Sequence, residues 1–306
     1  MNANPDNPHD SLRSAARSWL GRRRRWLSGV RANRRRRVAR AALDGGLDAA
    51  PPVPPCPPGW STGPPDFVGV GVQRCGTTRW FDLIAAHPEV DHAFGPRELH
   101  FFDRFLMGGH TAADIARYHS YFPRQPGHKT GEWTPLYISA PWVPSMLARS
   151  APDARLLVLL RDPVERYLSG IELDVRIAAR RGAPLSRYAP FEAYLRGLYH
   201  EQLTRLLRHF ERSQVLILQY ERCTGAPLPE LRRTFEFIGL SDLDFTPDIT
   251  RHPERQLEKP SMSADARSAY AEAYTPDVLR LAADFPEIDL ALWPNFSHLA
   301  VPSRAG

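Results

Sequence analysis

Residues 67–80 read FVGVGVQRCGTTRW. The apolar run Phe67–Val72 predicts a buried strand, and the residues that begin at Thr77 have the spacing of a helix. Gly71 and Gly76, where the first element gives way to the second, are separated by four residues. This is the spacing of glycines in a phosphate-binding loop. A nucleoside-triphosphate P-loop carries lysine at the position of Thr77, so this sequence predicts a loop for a different anion.

The groups in this loop suit an anion shorter than a triphosphate. The backbone N–H groups of Cys75, Gly76, Thr77 and Thr78 are expected to point into the loop at a helix N-terminus, where the helix dipole favours negative charge. The two threonine hydroxyls add hydrogen-bond donors, and Arg74 adds a cation. On the loop alone, an ordinary strand–helix turn is an equally good interpretation.

A second candidate anion site lies in LLVLLRDPVERYLSG, residues 156–170. Arg161 follows a predicted buried strand, and ligands of open α/β sheets bind at the carboxyl ends of the strands. Ser169 lies about two turns along the next helix, so the arginine and the serine could hold one phosphate group. For this motif alone, a local ion pair of Arg161 with Asp162 or Glu165 is the alternative.

The composition excludes several other classes of protein. Hydrophobic residues make up 42% of the 306 residues, which suffices for one large α/β domain or two small ones. No run approaches the ~18 apolar residues of a membrane span, and no secretory signal follows the basic N-terminus. Cys56, Cys75 and Cys223 form neither a disulfide framework nor a metal motif. We therefore expect a cytoplasmic protein that binds no metal.

The charge is distributed unevenly along the chain. Residues 1–50 contain twelve arginines and four aspartates, a net charge of +8, whereas the remaining residues carry −2. The first segment predicts a disordered tail, or a cationic amphipathic helix on an anionic membrane surface or partner. Residues 51–65 contain eight prolines, which predicts a stiff, extended linker rather than packed structure. A folded domain is expected over 66–300.

Strands alternate with helices along this domain. The pattern predicts further strands at 155–160 and 215–219, and helices at 77–86, 140–150, 163–181, 190–210, 227–239 and 264–274. Such alternation is typical of an α/β fold in which helices flank a central parallel sheet.

The two anion motifs, in this order, resemble those of sulfotransferases that use 3′-phosphoadenosine 5′-phosphosulfate (PAPS). Residues 67–90 resemble the 5′-phosphosulfate loop of that family, and residues 155–170 resemble its 3′-phosphate motif. Three more segments are similar to the heparan-sulfate-type (glucosaminyl 3-O-/N-sulfotransferase) branch: RELHFFDRF at 97–105, GEWTP at 131–135, and QVLILQYERCTG to LRRTFEFIGL within 214–240. The resemblance extends over about 66–296 and implies a P-loop-NTPase-like, three-layer α/β fold.

The resemblance also implies a donor site that needs no metal. Its residues would be Arg74, Cys75, Gly76, Thr77 and Thr78 for the 5′-phosphosulfate, and Arg161 and Ser169 for the 3′-phosphate. The family usually has lysine where Arg74 stands. Arginine keeps the charge but donates a proton less readily, so we expect it to neutralise charge on the bridging oxygen of the leaving phosphate.

Glu98 matches the general base of the heparan-type branch, in which one carboxylate takes the proton of the acceptor hydroxyl. Without the resemblance, a surface glutamate paired with Arg97 or Arg104 is the simpler interpretation. His100 is the competing candidate for the base, because another branch of the family uses histidine.

The sequence departs from the family pattern at two places. Trp133 replaces the lysine of the branch's GEKTP segment, which weakens the case for a highly anionic glycan acceptor. The family's C-terminal cofactor loop is rich in lysine, arginine and glycine, whereas residues 251–259 match it loosely. Arg255 and Lys259 are therefore weak candidates for cofactor contacts.

The sequence thus predicts a sulfotransferase that moves a sulfuryl group from PAPS to a hydroxyl, or an amine, of a glycan or small-molecule acceptor. One alternative is a P-loop-type small-molecule kinase, which requires a lysine in the loop and magnesium ligands. The other is a non-catalytic protein whose basic tail binds nucleic acid or a membrane surface. Nucleic acid is not an expected partner of the folded domain, because that domain has no excess of basic residues.

Overall fold

The computed structural model describes most of the chain beyond residue 50. The described residues are 51–92, 97–106, 108–241, 245, 247–249 and 261–300. The predicted tail at 1–50 and the two C-terminal candidates Arg255 and Lys259 lie outside the described residues. No helix within the described ranges is long and apolar enough to cross a membrane.

Four strands of the described chain form a central parallel sheet. The six described strands are β1 (Ser61–Thr62), β2 (Phe67–Gly71), β3 (Pro123–Arg124), β4 (Gly131–Trp133), β5 (Arg155–Leu160) and β6 (Val215–Gln219), of which β1 and β3 form a separate two-stranded sheet. The central sheet has the spatial order β4–β2–β5–β6, with every neighbouring pair parallel. Because β2 and β5 are adjacent in the middle, the loops that follow them leave the sheet side by side.

Helices flank this sheet, as the alternating pattern predicts. They are α1 (Thr77–Ala85), α2 (Ala112–His119), α3 (Val143–Ser150), α4 (Pro163–Arg180), α5 (Ala189–Leu195), α6 (Tyr199–Leu206), α7 (Tyr220–Gly225), α8 (Pro227–Ile238) and α9 (Ala264–Asp284). Proline occupies one of the first two positions of α3, α4, α5 and α8, where its missing N–H group costs no helical hydrogen bond.

The helix predicted at 190–210 is two helices, α5 and α6, and the reason is a close contact at Gly197. A Cβ atom at this residue would lie 2.7 Å from Cε1 of Tyr274. The chain therefore passes Tyr274 where only glycine fits, and α6 begins two residues later. Sequence spacing alone does not reveal a contact with a residue this distant in the chain.

Helix α9 and strand β4 also differ from the predictions. The helix predicted at 264–274 continues to Asp284 with Pro276 inside it, because the buried side chains of Val278 and Leu281 hold the segment beyond the proline against the core. Strand β4 was not predicted, since three residues are too few for a recognisable pattern.

Trp133, the residue that replaces the expected lysine, lies in the core at the end of β4. Its side chain is fully buried, and its indole N–H donates a hydrogen bond to the Gly71 carbonyl at 3.2 Å. The indole covers Gly69 so closely that a Cβ atom there would lie 1.9 Å from Trp133 Cδ2. Tryptophan at 133 therefore requires glycine at 69, its partner in the parallel pairing of β2 with β4.

The proline-rich residues 51–65 lie against the domain. The Tyr121 hydroxyl donates to the Pro51 carbonyl, β1 pairs with β3 in antiparallel register, and Arg124 Nη1 donates to the Pro64 carbonyl at 3.0 Å. The segment thus differs from the expected linker without packed structure, because backbone carbonyls between its prolines still accept hydrogen bonds. Its role as a linker between 1–50 and the domain stays a prediction.

The close approach of Trp133 predicts a strong effect of one added methyl group. Gly69→Ala is expected to lower the free energy of unfolding by about 1–3 kcal/mol or more, because the indole and the sheet cannot both keep their positions. Urea denaturation measures this loss. Gly225→Ala is the matched control, since no atom lies within 4 Å of a Cβ atom there. Equal stability of the two variants would contradict the packing described above.

Candidate active site

The loop between β2 and α1 depends on Gly76. Gly76 has a φ angle of 85°, a left-handed conformation that glycine adopts readily. A Cβ atom at this position would also lie 2.9 Å from Cδ2 of Tyr220. Both constraints favour glycine, and within the described chain no side chain caps the N-terminus of α1.

The backbone N–H groups of the loop are only partly available to an anion. The Cys75 N–H donates to the Val72 carbonyl at 3.3 Å, so it closes a turn, which differs from the expectation that it faces the loop interior. The first residues of a helix have no intrahelical acceptors for their N–H groups. Those of Thr77 and Thr78 can therefore serve an anion. The Thr77 side chain is buried, whereas that of Thr78 is exposed.

The structure brings the two predicted anion motifs together. Arg74 Nε donates a hydrogen bond to Ser169 Oγ at 3.0 Å, although the two residues are 95 positions apart. Arg161 Nη1 approaches the Arg74 carbonyl at 3.4 Å, and its guanidinium lies 4.6 Å from the centre of the Tyr220 ring. Since Ser169 Oγ accepts from Arg74, the hydroxyl proton of Ser169 can still be donated to a ligand.

The alternative of a purely structural ion pair at Arg161 has weak geometric support. Arg161 Nη2 lies 3.9 Å from Glu165, whereas Glu165 lies only 2.6 Å from Arg267. Asp162 instead caps α4, accepting from the Val164 N–H at 2.9 Å. Most of the hydrogen-bonding capacity of the Arg161 guanidinium is therefore not used by these neighbours.

Positive charge accumulates where the two motifs meet. Burial lowers the pKa of Arg74, and the nearby guanidinium groups of Arg176 and Arg161 lower it further, while the Glu172 carboxylate raises it. Three arginines thus lie near two carboxylates, since Glu172 is 3.5 Å from Arg176 and Glu165 is 3.9 Å from Arg161. An anionic ligand would relieve the repulsion among the three cations, so the charges favour a phosphate or sulfate group here.

Glu98 lies beside a histidine that bridges two carboxylates. His100 Nδ1 is 2.7 Å from Asp103 Oδ2, and His100 Nε2 is 3.3 Å from Glu98 Oε2. Hydrogen bonds to Asp103 and then to Glu98 raise the pKa of His100 to about 10. The imidazole is therefore protonated at neutral pH. Glu98 also lies 3.8 Å from Arg97, and 36% of its side chain is exposed, so a substrate can reach its carboxylate.

A buried carboxylate, Glu132, holds the segment that carries Glu98. The Leu99 N–H donates to Glu132 Oε2 at 3.2 Å. The Thr134 hydroxyl donates to the same oxygen at 2.6 Å and accepts from the His100 N–H at 3.3 Å. The backbone on both sides of the candidate base segment is thereby tied to β4.

Two tyrosines complete this network. The hydroxyls of Tyr118 and Tyr137 donate to Glu132 Oε1 at 2.8 and 3.2 Å, and the Tyr137 oxygen accepts from the Phe101 N–H at 2.8 Å. Burial raises the pKa of Glu132 to about 7, while hydrogen bonds from Thr134 and Tyr118 oppose that rise. In this chain the GEWTP segment thus contributes its glutamate and threonine to the site, and its tryptophan to the core.

Three residues near the site were not predicted from the sequence. Tyr220 follows β6, so its position at a strand's carboxyl end was an available signal. Arg176 lies seven residues after Ser169, on the same face of α4, which is a second such signal. Glu132 lies in the GEWTP segment, whose resemblance was an available signal, but its role arises from burial among partners that are distant in sequence.

Comparison with known proteins identifies the family. Residues 64–275, well over half of the chain, match the Sulfotransferase domain family. The chain therefore belongs to this family, whose sulfuryl donor is PAPS, as the resemblance implied.

Its similar relatives include enzymes of the heparan-sulfate branch. Heparan sulfate glucosamine 3-O-sulfotransferase 3B1 of Mus musculus is 32% identical over 189 residues, covering 58% of this chain and 46% of that protein. The Homo sapiens heparan sulfate glucosamine 3-O-sulfotransferase 6 is 32% identical over 188 residues, covering 58% and 52%. A membrane-associated sulfotransferase of Dictyostelium discoideum, kil1, is 30% identical over 201 residues, covering 62% and 40%. The chain spans about half the length of the curated relatives it matches.

Solved structures of sulfotransferases share the fold. The sulfotransferase of Alicyclobacillus acidocaldarius has a TM-score of 0.60 and 25% identity, covering 75% of this chain and 98% of that chain. Sulfotransferase STF9 of Mycobacterium avium has a TM-score of 0.53 at 15% identity, covering 74% and 77%, a likeness of fold alone. The predicted P-loop-like α/β fold is confirmed.

The bridged histidine predicts a pH dependence of stability. The pKa of His100 is about 10 in the folded protein, whereas that of an unperturbed histidine is about 6.5. Protonated His100 therefore stabilises the fold fully below about pH 6.5. This stabilisation is lost as the pH rises through about 10. His100→Gln should therefore flatten the decline in the free energy of unfolding between these pH values, measured by urea denaturation. Asp103→Asn should flatten it as well. Parallel pH curves for the unmodified chain and His100→Gln would contradict the bridging geometry.

Proposed function

We propose that this protein is an enzyme that transfers a sulfuryl group from PAPS to a hydroxyl, or an amine, of a glycan or small-molecule acceptor. The observation that carries the proposal is the hydrogen bond from Arg74 to Ser169. This hydrogen bond joins the phosphate loop, which has no lysine, to the second anion motif. A donor with phosphate groups at both its 5′ and 3′ ends needs two anion motifs at one place.

The residues at this place suit such a donor. The first turn of α1, entered through the left-handed Gly76, offers N–H groups and a helix dipole to the 5′-phosphosulfate. Arg161 and the Ser169 hydroxyl offer a charged fork and a donor to the 3′-phosphate. The Tyr220 ring, over which Arg161 lies, supports the position of that guanidinium through a cation–π contact.

The proposed reaction is a single displacement at sulfur. The acceptor oxygen forms a bond to sulfur, and the bond between sulfur and the bridging oxygen of the phosphosulfate breaks. The acceptor proton passes to Glu98, and the leaving electron pair stays on the 5′-phosphate of adenosine 3′,5′-bisphosphate. Arg74 stabilises this developing charge by electrostatics; the lowered pKa of its guanidinium reflects burial beside other cations.

The environment of His100 favours Glu98 as the base. A histidine that is already protonated has no lone pair with which to take a proton, and its pKa is raised to about 10. As an imidazolium it instead fixes the orientation of the Glu98 carboxylate through the contact at 3.3 Å. His100 is thus a positioning residue in this proposal.

Transfer without a metal ion and action in the cytoplasm are further parts of the proposal. The first rests on the charged groups at the site, since Arg74 and Arg161 can neutralise the donor's phosphates. The second rests on the cysteines, since Cys56, Cys75 and Cys223 are free thiols, which is typical of a reducing compartment. Contact between the arginine-rich residues 1–50 and an anionic membrane surface is an additional prediction.

The donor site is tested by the loss of one arginine. In the presence of EDTA, adenosine 3′,5′-bisphosphate should raise the melting temperature of the protein. Arg161→Ala should weaken binding of the bisphosphate about tenfold to a hundredfold, because a charged hydrogen bond contributes about 1.5–3 kcal/mol. Calorimetric titration measures the affinity. Arg155→Ala, at the opposite end of β5, should bind normally. Adenosine 5′-monophosphate binding as tightly as the bisphosphate would contradict a 3′-phosphate site.

The base is tested by a variant of the same shape. Glu98→Gln cannot take the acceptor proton, so turnover should fall by about 10²–10⁴ while adenosine bisphosphate affinity stays nearly unchanged. Sulfated product formed from radiolabelled PAPS measures the turnover. Glu236→Gln, an exposed glutamate on α8, is the control. Full activity of Glu98→Gln together with an inactive His100→Ala would transfer the role to the histidine.

A further inference from the structure

The turn that carries Arg161 is held by a distant part of the chain. Asp162, which is fully buried, accepts hydrogen bonds on Oδ2 from the backbone N–H of Asn295 at 3.0 Å and from its side-chain Nδ2 at 2.9 Å. The other carboxylate oxygen of Asp162 caps α4 by accepting from the Val164 N–H. The segment around Asn295 therefore fixes the start of the helix on which Ser169 lies.

The peptide unit between Arg161 and Asp162 is held on both sides. The Tyr199 hydroxyl donates to the Arg161 carbonyl at 2.8 Å, and the Asp162 N–H donates to Glu221 Oε1 at 3.0 Å. Glu221 Oε2 in turn accepts from the indole N–H of the buried Trp293 at 3.1 Å. The backbone of Arg161 is thus fixed, and the availability of its guanidinium depends on the side chains around it.

Arg267, in the first turn of α9, binds the carboxylate that competes for this guanidinium. Its Nη1 donates to Glu165 Oε1 at 2.6 Å and to Asn295 Oδ1 at 3.2 Å. Glu165 lies four residues after Arg161, but its Oε2 is 3.9 Å from Arg161 Nη2. The shorter distance is that of a charged hydrogen bond and the longer one is not. Glu165 is therefore drawn toward α9 and away from Arg161.

A direct pair between Glu165 and Arg161 would oppose the binding of a phosphate. A carboxylate and a phosphate both bind the same two-pronged face of a guanidinium. The side chains of Arg161 and Glu165 are only 12% and 15% exposed, so water and salt would screen their attraction less than at the surface. Because Arg267 holds Glu165, the Arg161 guanidinium stays available to an anionic ligand.

We infer that Arg267 and Asn295 are positioning residues for the 3′-phosphate of the donor. Arg267 keeps Glu165 from pairing with Arg161, and Asn295 holds both the Arg267 guanidinium and the Asp162 cap. The inference rests on the proposed function, because it requires Arg161 to bind the 3′-phosphate. Neither residue has a role in the motifs by which the family resemblance was recognised, and Asn295 lies outside the residues 64–275 that match the family.

A double-mutant cycle tests the role of Arg267. Adenosine 3′,5′-bisphosphate is titrated calorimetrically into the full chain, Arg267→Met, Glu165→Gln and the double variant. Arg267→Met should weaken binding about fivefold, because the Glu165 carboxylate, released from Arg267, pairs with Arg161 in competition with the phosphate. In the Glu165→Gln background the same change should alter the affinity less than about twofold, since residue 165 then carries no charge.

Two controls separate positioning from a general loss of stability. Adenosine 5′-monophosphate lacks the 3′-phosphate, so its affinity should be equal for all four chains. Arg280→Met makes the same substitution at an exposed arginine further along α9, and it should bind the bisphosphate as the unmodified chain does.

Asn295→Leu tests the second positioning residue. The change removes the side-chain donor to Asp162 and the acceptor for Arg267. The preference for bisphosphate over monophosphate should therefore fall about fivefold, the effect of one hydrogen bond. Ser150→Ala, which loses a buried hydroxyl on α3, is the control: its melting temperature should fall while the preference stays unchanged. An unchanged preference in Asn295→Leu would overturn the role of Asn295.

The cycle also has outcomes that overturn the role of Arg267. No loss in Arg267→Met would overturn it. So would an equal loss in both backgrounds, because Arg267 would then act on the bisphosphate without Glu165. A parallel loss of monophosphate affinity would overturn it as well, since it would show a disturbance of the whole site.

The same samples distinguish these outcomes from a failure of the proposed function. If the unmodified chain binds no adenosine bisphosphate, the proposed donor site fails and the positioning role falls with it. If the bisphosphate binds without the expected coupling, the donor site stands and only the inference about Arg267 is overturned. If the coupling is found but PAPS yields no sulfated product, the positioning role stands and the proposed transfer fails.

Discussion

The parallel pairing of β2 with β5 is the constraint on which the candidate site depends. Their register, with Phe67 opposite Arg155 and Gly71 opposite Val158, makes the two strands end at the same edge of the sheet. The loop after β2 and the turn after β5 must then meet. Arg74 and Ser169 form their hydrogen bond across this junction. Two motifs that are far apart in sequence become one surface for a ligand with two anionic groups.

The candidate base is positioned by a different interaction, the buried Glu132 carboxylate. Its two oxygens accept from the Leu99 N–H and from the hydroxyls of Thr134, Tyr118 and Tyr137. A carboxylate at this depth is stable only when several donors surround it. These donors come from three segments of the chain, so the network fixes the backbone around Glu98 relative to β4. Glu98 itself stays accessible, which a proton acceptor for an external hydroxyl requires.

The sequence predicts local elements well and long-range contacts poorly. The bounds of β5 and β6 agree with their apolar runs, and the phosphate-loop frame correctly predicts a strand and a helix around Gly76. The division into α5 and α6 depends on the contact between Gly197 and Tyr274, which no local pattern reveals. The same is true of the site. Arg74, Arg161 and Ser169 are recognisable by motif. Glu132 lies in the GEWTP segment, but its role is recognisable only once its partners are in place. Trp133 is the opposite case. Its position in the motif predicts an altered residue at the active site, whereas the structure places its side chain in the core.

The account's central claim is that the two motifs form a single site for one nucleotide with phosphates at both ends. A crystal structure of the complex with adenosine 3′,5′-bisphosphate tests it most directly. The account predicts the 3′-phosphate within about 3.2 Å of the Arg161 guanidinium and Ser169 Oγ, a hydrogen-bond distance, and the 5′-phosphate at the N-terminus of α1. A bisphosphate bound elsewhere, or bound with its 3′-phosphate away from both Arg161 and Ser169, would contradict the claim.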